Sequence, residues 1–478
     1  MTTASDATLL IGSAWRSASD GSAQELVSPV DGSVTGAFAQ ASASDLDDAV
    51  AAAVDAARNG SWSTLSDYER SLVVNEFADL VEADLEQLAL LQAREMGKPV
   101  GFSLERDVPC AVSALRYCAG LAARSSTSRR LPAALTSTRY DLSAARGVVA
   151  AFGAVQHPVA MMIDALAPAL ALGNTVVFKP SAHAALSAVR LAELARQAGL
   201  PAGVLNLVTG SDPRLGLALA AHPAIDMVAY TGSRAGARVV GAACMRTLTP
   251  VRLKANGTTA HVVFADTCLD SATRLAVRSM LTGRLEARGM GVRILVHRPV
   301  YRSFLAQLQE RLEELLPGDP TLADTRLGPL PHQRCLTDFR GFLGRLEERG
   351  AKIVLGGETD SLYVRPTLIT GAPLNSGPAC EHESAAPYAL VEPFDTPAEA
   401  LVGLTGLDGL VRLALHTPSR ERAAWLVSHA RAETCLISTC EPGDQDEHDD
   451  SEDEVSDYDI SAAAFEGFAR DTAIVVDW

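Results

Sequence analysis

Hydrophobic residues recur at intervals of three and four along several stretches of the chain, which is the spacing of a helix with one buried face. Leu46 and Val50 belong to the first such stretch, which predicts a helix over 42–59. The same periodicity predicts further helices over 68–97 and 106–123. The N-terminal third of the chain is therefore expected to be mainly helical after a strand-like start.

From Gly147 onward, short apolar runs rich in β-branched residues alternate with helical patterns. The strands are expected at 148–155, 175–178, 204–208 and 227–230, and the helices at 161–172, 185–198 and 213–221. A second run of the same kind has strands near 262–264, 294–297, 353–355 and 411–415, with helices at 303–316 and 343–348. This alternation predicts an α/β protein with two doubly wound, mainly parallel sheets.

Three segments fall outside that rhythm. Residues 129–142 predict an extended excursion, because Pro132 excludes a regular helix there. Residues 435–438 predict a last interior strand, and 472–476 predict an apolar strand at the C-terminus.

The composition excludes several classes of protein. A chain of 478 residues is too long for one small module, and 47% hydrophobic with 21% charged residues is typical of a globular core. The longest apolar stretch, 160–178, is interrupted by Asp164 and Pro168, so no transmembrane helix is expected. The N-terminus does not resemble a signal peptide, and eight cysteines show no framework spacing. A reducing, cytoplasmic location follows as the expectation.

The charge is unevenly distributed. The formal net charge of -17 argues against binding to nucleic acid or an anionic membrane. Residues 441–459 contain eleven acids and no lysine or arginine, and they account for most of the excess. A solubilising surface loop is the simplest interpretation, and a docking surface for a basic partner or an internal plug are the alternatives.

Several motifs together resemble those of the NAD(P)-dependent aldehyde dehydrogenase superfamily. They lie at 95–99, 147–158, 167–181, 198–206, 230–233 and 363–368, so the resemblance covers nearly the whole chain. It implies a cofactor domain, a catalytic domain and a small β oligomerisation element. The corresponding boundaries are 1–122 with 145–253 for the cofactor-binding-like domain, 254–440 for the catalytic-like domain, 123–144 with 464–478 for the oligomerisation element, and 441–463 for the acidic loop.

The resemblance implies cofactor contacts at Lys179, Ser181, Gly232, Ser233 and Glu383. Lys179 would hydrogen-bond an adenosine ribose, and the turn at Gly232 would approach the diphosphate at a helix N-terminus. Two family features are missing, because Ala182 replaces the acid that shares the ribose and Ala385 replaces an aromatic residue. These losses predict weakened or lost binding of NAD or NADP, and an inherited scaffold without the ligand is the alternative.

The catalytic positions depart further from the family pattern. Aldehyde oxidation in the family needs a thiolate nucleophile, an amide donor for the oxyanion and a carboxylate base. Alignment of the flanking segments places these at Arg288, Gln156 and Lys254 respectively, and no cysteine lies between Cys268 and Cys335. An arginine has no useful lone pair and a lysine ammonium is a donor only. Thiol-dependent aldehyde oxidation is therefore not expected.

Other candidate groups have simpler interpretations. Cys244 and Cys268 are candidate relocated nucleophiles, but a small buried cysteine is the more common case. His157 and His261 are candidate acids or bases, with a structural role as the preferred interpretation. Lys254 is also a candidate imine-forming amine, although nothing in the sequence indicates an electrophile.

The preferred hypothesis is a family pseudoenzyme, a homo-oligomer (dimer or tetramer) that acts as a scaffold, a regulatory partner or a non-catalytic ligand binder. A hetero-oligomer with an active relative is an extension of it. The alternatives are altered chemistry in the same cleft, or ordinary NAD(P)-dependent aldehyde oxidation if the alignment at Arg288 is wrong. We further expect Lys254 and Arg288 to recruit carboxylates, with Glu286, Glu383 and 441–459 as the named sources.

Overall fold

A computed structural model of the chain describes residues 8–124, 128–132, 137–282, 289–372, 385–405, 407, 409–440 and 465–477. The strands and helices before residue 256 are β1 Leu9–Ile11, β2 Ala14–Arg16, β3 Ala23–Val27, β4 Val34–Ala39, α1 Ala43–Asn59, α2 Asp67–Ala83, α3 Leu85–Met96, α4 Val100–Phe102, α5 Val108–Arg124, β5 Ser128–Pro132, β6 Ser137–Ala145, β7 Val148–Phe152, α6 Pro158–Ala171, β8 Thr175–Lys179, α7 Ala185–Gln197, β9 Leu205–Leu207, α8 Pro213–Ala220, β10 Met227–Gly232, α9 Arg234–Thr247 and β11 Val251–Ala255. A π-helical turn, Ser103–Asp107, joins α4 to α5.

The first sheet has seven strands in the order β11-β10-β7-β8-β9-β1-β2. The pairs from β11 to β9 are parallel, whereas β1 joins β9 and β2 in antiparallel fashion. Helices cover both faces: Val148 and Ala150 of β7 pack in the cluster of α1, α8 and α9, while Val149 and Ala151 pack in the cluster of α2, α5, α6 and α7. Alternate residues of one strand are therefore buried on opposite sides, which explains its continuous apolar run.

The rest of the chain builds a second sheet. Its elements are β12 Gly257–Val263, α10 Leu269–Thr282, β13 Gly289–His297, α11 Tyr301–Glu313, α12 Gln333–Glu347, β14 Lys352–Leu355, β15 Thr359–Asp360, β16 Tyr363–Val364, β17 Thr367–Thr370, β18 Tyr388–Phe394, α13 Pro397–Thr405, β19 Leu410–His416, α14 Arg420–Ala430, β20 Thr434–Ser438 and β21 Ala469–Asp477. The strand order is β14-β17-β18-β13-β12-β19-β20, and only β14 runs antiparallel to its neighbour. Two doubly wound α/β sheets are thus confirmed.

The excursion forms a third, smaller sheet. Strand β6 lies between β5 and β21 and pairs with both in antiparallel fashion. The register with β21 runs from Ala145 opposite Ala469 to Ser137 opposite Asp477. The excursion and the C-terminal strand therefore pair within one chain. Their role in oligomerisation stays a prediction.

Two predicted helices have different bounds in the structure. The helix predicted over 68–97 is two helices, α2 and α3, separated at Asp84, whose carboxylate accepts hydrogen bonds at 2.6 and 2.8 Å from Arg190. The periodicity did not show the break because the apolar spacing continues across it. The helix predicted over 343–348 is only the end of the 15-residue α12. Within the described part of the chain, no helix combines the length and apolar character that a bilayer crossing needs.

Candidate active site

Four neighbouring strands of the first sheet bring the predicted site residues to one edge. Strands β11, β10, β7 and β8 are adjacent and parallel, so their carboxyl ends point the same way. Lys254 lies near the end of β11, Gly232 ends β10, Gln156 follows β7 and Lys179 ends β8. The carboxyl edge of a parallel sheet is where open α/β folds bind their ligands.

The turn after β7 carries Gln156 and His157 into α6. Gln156 is 4% exposed, so its amide is almost fully buried. His157 occupies the N-cap position of α6 with a φ of 51°, a left-handed conformation that is unfavourable for a residue other than glycine. Pro158 then supplies the first helical position, where a missing N–H costs nothing. Side-chain contacts must therefore hold this turn.

Those contacts come from a buried group of three ionisable side chains. Asp107 ends the π-helical turn. It accepts a hydrogen bond from His157 Nδ1 at 2.9 Å and forms an ion pair with Lys98 Nζ at 2.8 Å. Burial opposes the charge on Asp107, but Lys98 and His157 outweigh it and hold the pKa of that carboxyl well below its ordinary value. Burial lowers the pKa of Lys98. His157 thus has the structural role that the sequence analysis preferred, as the anchor of the turn.

Lys254 is held by a carboxylate that the sequence analysis did not name. Its ammonium lies 2.8 Å from Oδ1 and 2.9 Å from Oδ2 of Asp164, in the middle of α6. Arg252, two residues earlier on the same strand, approaches the same carboxylate at 3.6 Å. The side chains of Lys254 and Asp164 are 10% and 5% exposed. Lys254, which the sequence analysis predicts at the general-base position, is therefore held in a buried ion pair.

The turn at the end of β10 has satisfied its own polar groups. Ser233 is the N-cap of α9, and its hydroxyl accepts the N–H of Gly236 at 3.0 Å. The Tyr230 hydroxyl donates to the Ser233 carbonyl at 3.2 Å and lies against the first turn of α9. A Cβ on Gly236 would collide with that hydroxyl, so this position requires glycine. The helix N-terminus is the kind of place where phosphate binds, and the Ser233 hydroxyl, which accepts the Gly236 N–H, can still donate its own hydrogen.

Lys179 and Ser181 follow β8 in the same internally bonded way. The Lys179 ammonium donates to the Gly210 carbonyl at 3.0 Å, and burial lowers its pKa to about 8. Ser181 caps a short helical turn by accepting the N–H of His183 at 3.4 Å. Ala182, the residue after Ser181, has no carboxylate. These residues fit a dinucleotide in part. The lysine is in place, but its ammonium already donates to the Gly210 carbonyl.

Comparison with known proteins identifies the family. The model of the aldehyde dehydrogenase family matches residues 15–447. This chain belongs to the aldehyde dehydrogenase family. Similar solved structures include the aldehyde dehydrogenase KauB from Pseudomonas aeruginosa, at 28% identity and a TM-score of 0.89 over 98% of this chain and 96% of that chain. A mutant of the indole-3-acetaldehyde dehydrogenase AldA from P. syringae, in complex with NAD+ and IAA, has 28% identity and a TM-score of 0.88 over 98% and 96% of the two chains. An NAD-dependent aldehyde dehydrogenase from Sinorhizobium meliloti matches at 28% identity with a TM-score of 0.89, over 98% and 94%.

Some positions that matter to an aldehyde dehydrogenase lie outside the described residues. They are Arg288, Glu286, Glu383 and the acidic segment 441–459. Their roles, including the expected pairing with Lys254, stay predictions. Among the described residues the acid that contacts Lys254 is Asp164, which the sequence analysis did not name.

The relocated-nucleophile candidates of this aldehyde dehydrogenase family member are core residues. Cys244 has no exposed surface, and burial raises the pKa of its thiol. Cys268 is 8% exposed. His261 is buried, with Nδ1 at 3.0 Å from His416 Nε2 and Nε2 at 2.9 Å from Ser279 Oγ. The packing interpretation of all three is supported.

Two buried acids at the candidate site were missed by the sequence analysis, and only one of them had a signal in the sequence. Asp164 is the only charged residue of α6, all of whose residues are buried, and a lone carboxylate in such a helix requires a cationic partner. Asp107 lacked such a signal, because the π-helical turn that aims it inward does not follow from periodicity. Lys98, one of only four lysines, is the partner that pairs with it.

Proposed function

We propose that this chain is a non-catalytic member of the aldehyde dehydrogenase family, which lacks thiol-dependent aldehyde oxidation and acts as a scaffolding or regulatory subunit of an oligomer. One observation carries the proposal: both carboxylate oxygens of Asp164 contact the ammonium of Lys254, the residue that the sequence resemblance aligns with the general base. An ammonium that donates to a carboxylate has no lone pair with which to remove a proton from water.

The nucleophile position supports the same conclusion from the sequence. Alignment of the flanking segments places the nucleophile position at Arg288, and the chain has no cysteine between Cys268 and Cys335. Members of a catalytic unit act together, so loss of the nucleophile alone removes nearly all the rate and loss of the base then costs little more. Gln156 retains an amide, but it is one methylene longer than asparagine, and a donor displaced by about 1 Å costs on the order of a hundredfold.

The charge of the pocket also disfavours the family reaction. A deacylating base must be a carboxylate in contact with water, whereas Lys254 is 8% exposed and bound to protein. Arg252 adds a second cation beside Asp164. A carboxylate introduced at 254 would face Asp164 at close range, and two buried like charges disfavour ionisation of both. The surroundings of Lys254 therefore suit an ammonium and not a carboxylate.

Dinucleotide binding is proposed as weakened. Lys179, Gly232, Ser233 and the first turn of α9 are the residues that would hold NAD or NADP, and the similar AldA structure carries NAD+. In this chain Lys179 and Ser233 keep donor hydrogens for a ligand beside their bonds to Gly210 and Gly236. The weakening is instead supported by Ala182, which has no carboxylate for the ribose. When bound, the cofactor would supply hydride acceptance, which the present pocket cannot use without a nucleophile.

Assembly is the role that remains for such a chain. Strand β21 lies at the edge of the three-stranded sheet and pairs on one side only within the described residues. A nine-residue edge strand presents a row of unpaired backbone groups that another chain can complete. A second copy, giving a dimer or tetramer, is the preferred partner. An active relative, or a basic protein held by segment 441–459, is the hetero-oligomeric alternative.

The second candidate is NAD(P)-dependent aldehyde oxidation, or altered chemistry in the same cleft. Family membership and similar structures titled as aldehyde dehydrogenases favour it. The two candidates differ in one assay: formation of reduced nicotinamide from a broad aldehyde panel by the purified oligomer. We expect no rate above buffer with NAD or NADP. A rate that disappears after treatment with a thiol-blocking reagent would refute the proposal.

A further inference from the structure

A second group of reactive side chains connects the two halves of the molecule. The ring of His183, just after the Lys179 motif, stacks on the ring of His332 with centroids 4.2 Å apart and planes at 28°. His332 belongs to the second half and is the N-cap of α12. Its Nε2 lies 3.5 Å from the Sγ of Cys335. This thiol–imidazole pair is separate from the ion pair at Lys254.

The bonds of His332 define which nitrogen faces the thiol as a donor. Nδ1 accepts the backbone N–H of Cys335 at 3.4 Å, so in the neutral ring the hydrogen is on Nε2. Burial, helped by His183 and Arg334, lowers the pKa of His332 to about 4, and the ring is therefore neutral at pH 7. The neutral ring then donates Nε2–H to the sulfur. A donor aimed at sulfur favours the thiolate over the thiol.

The helix adds a second favourable field. Cys335 is the third residue of α12, which has 15 residues, and thiols in the first turn of a helix are near its positive end. Its side chain is partly exposed, so a small reagent can reach it.

Most other cysteines that the structure describes lack the combination of an exposed thiol and a neighbouring imidazole. Cys118, Cys244 and Cys268 are buried, and burial raises the pKa of Cys110 and of Cys435. Cys440 is partly exposed and provides a matched comparison. Exposure and a neighbouring imidazole are together at Cys335.

We propose that Cys335, with His332 as its positioning residue, is a reactive thiol that is modified by small disulfides at the contact between the two halves. In this step the Cys335 sulfur attacks one sulfur of the disulfide and the S–S bond breaks. A mixed disulfide forms on Cys335, the other half leaves as a thiolate, and the proton of the original thiol passes to solvent. One thiol is oxidised and one sulfur of the reagent is reduced, so no further oxidant is needed.

The test uses the full chain with dithionitrobenzoate, an aromatic disulfide whose released thiolate absorbs light. We expect one fast equivalent per native chain, mapped to Cys335 by peptide mass spectrometry, and its loss in Cys335→Ser. His332→Asn keeps a good helix cap but removes the ring donor, and it should slow the fast phase about tenfold. Cys440→Ser should leave the fast phase unchanged.

The controls separate reactivity from folding. His183→Phe retains a stacked ring without a nitrogen and should react within about twofold of the original protein, since His183 contacts the ring and not the sulfur. An unchanged thermal midpoint for His332→Asn excludes unfolding of α12 as the cause. Mapping of the fast equivalent to another cysteine, or a normal rate in His332→Asn, would overturn the proposal. Neither outcome depends on aldehyde oxidation, so the proposed function is tested independently.

Discussion

Replacement of Asp164 by leucine should destabilise the protein strongly, because it removes the carboxylate from the buried ammonium of Lys254 and from the partly exposed guanidinium of Arg252. The ammonium and the carboxylate are 2.8 Å apart, and the two side chains are 10% and 5% exposed. At an effective dielectric constant near 20 their attraction is about 6 kcal/mol before desolvation is counted. Removal of one partner from a buried pair typically costs about 3–5 kcal/mol. We expect Asp164→Leu to fall in that range.

The measurement is a double-mutant cycle, in which urea denaturation gives the free energy of unfolding of each variant. The transition to follow is the one in which the first sheet unfolds. Lys254→Met should also destabilise, because the cation that then remains near Asp164 among the described residues is the more distant Arg252. The double variant should recover most of the loss, since an apolar pair of similar volume replaces both charges. Asp395→Leu breaks an exposed ion pair with Arg298 and serves as the control, with a much smaller expected effect. Single variants as stable as the original protein, or a double variant no better than Asp164→Leu, would refute this reasoning.

Three further predictions concern pH, reactivation and assembly. Burial raises the pKa of Glu95 from 4.5 to about 7, so the folded state binds the proton more tightly than the unfolded state. The free energy of unfolding should therefore fall by about 3 kcal/mol as the pH rises from 4.5 to 7. Thermal melts at each pH should show a flatter pH dependence of stability for Glu95→Gln. The double variant Arg288→Cys with Lys254→Glu should give no aldehyde oxidation unless Asp164→Asn is added. Formation of reduced nicotinamide by the double variant and by the triple variant checks this. Light scattering at micromolar concentration should give at least a dimer, and deletion of 469–478 should give monomer; a monomeric intact chain would contradict the assembly role.

The strand and helix order could be predicted because it depends on local periodicity. Apolar runs such as 148–152 alternate with amphipathic segments, and the carboxyl-edge rule then places Gln156, Lys179 and Gly232 at the ends of neighbouring strands. The position of Lys254 did not follow, because the strand Val251–Ala255 was not predicted. The break at Asp84 could not be predicted in this way, because the apolar spacing continues across it. The contact of Asp84 with Arg190, 106 positions later, was likewise beyond local periodicity.

The partners of the buried charges depend on three-dimensional packing. Nothing in the spacing links Lys254 to Asp164, 90 residues earlier on another element. The charge rule required a carboxylate, and the nearby acids in the sequence were the natural candidates, but burial on α6 decided the pair. Likewise Cys335 lies three residues from His332 in the sequence, yet only the cap geometry of α12 turns the imidazole toward the sulfur.

The most direct test of the central claim is to look for the covalent intermediate of the family reaction. The intact protein is mixed with an aldehyde and NAD+, quenched in acid and weighed by mass spectrometry. Because no thiol occupies the nucleophile position and Lys254 is bound to Asp164, the account predicts no acyl adduct that depends on the dinucleotide. An acyl group found on a cysteine only when NAD+ is present would contradict it.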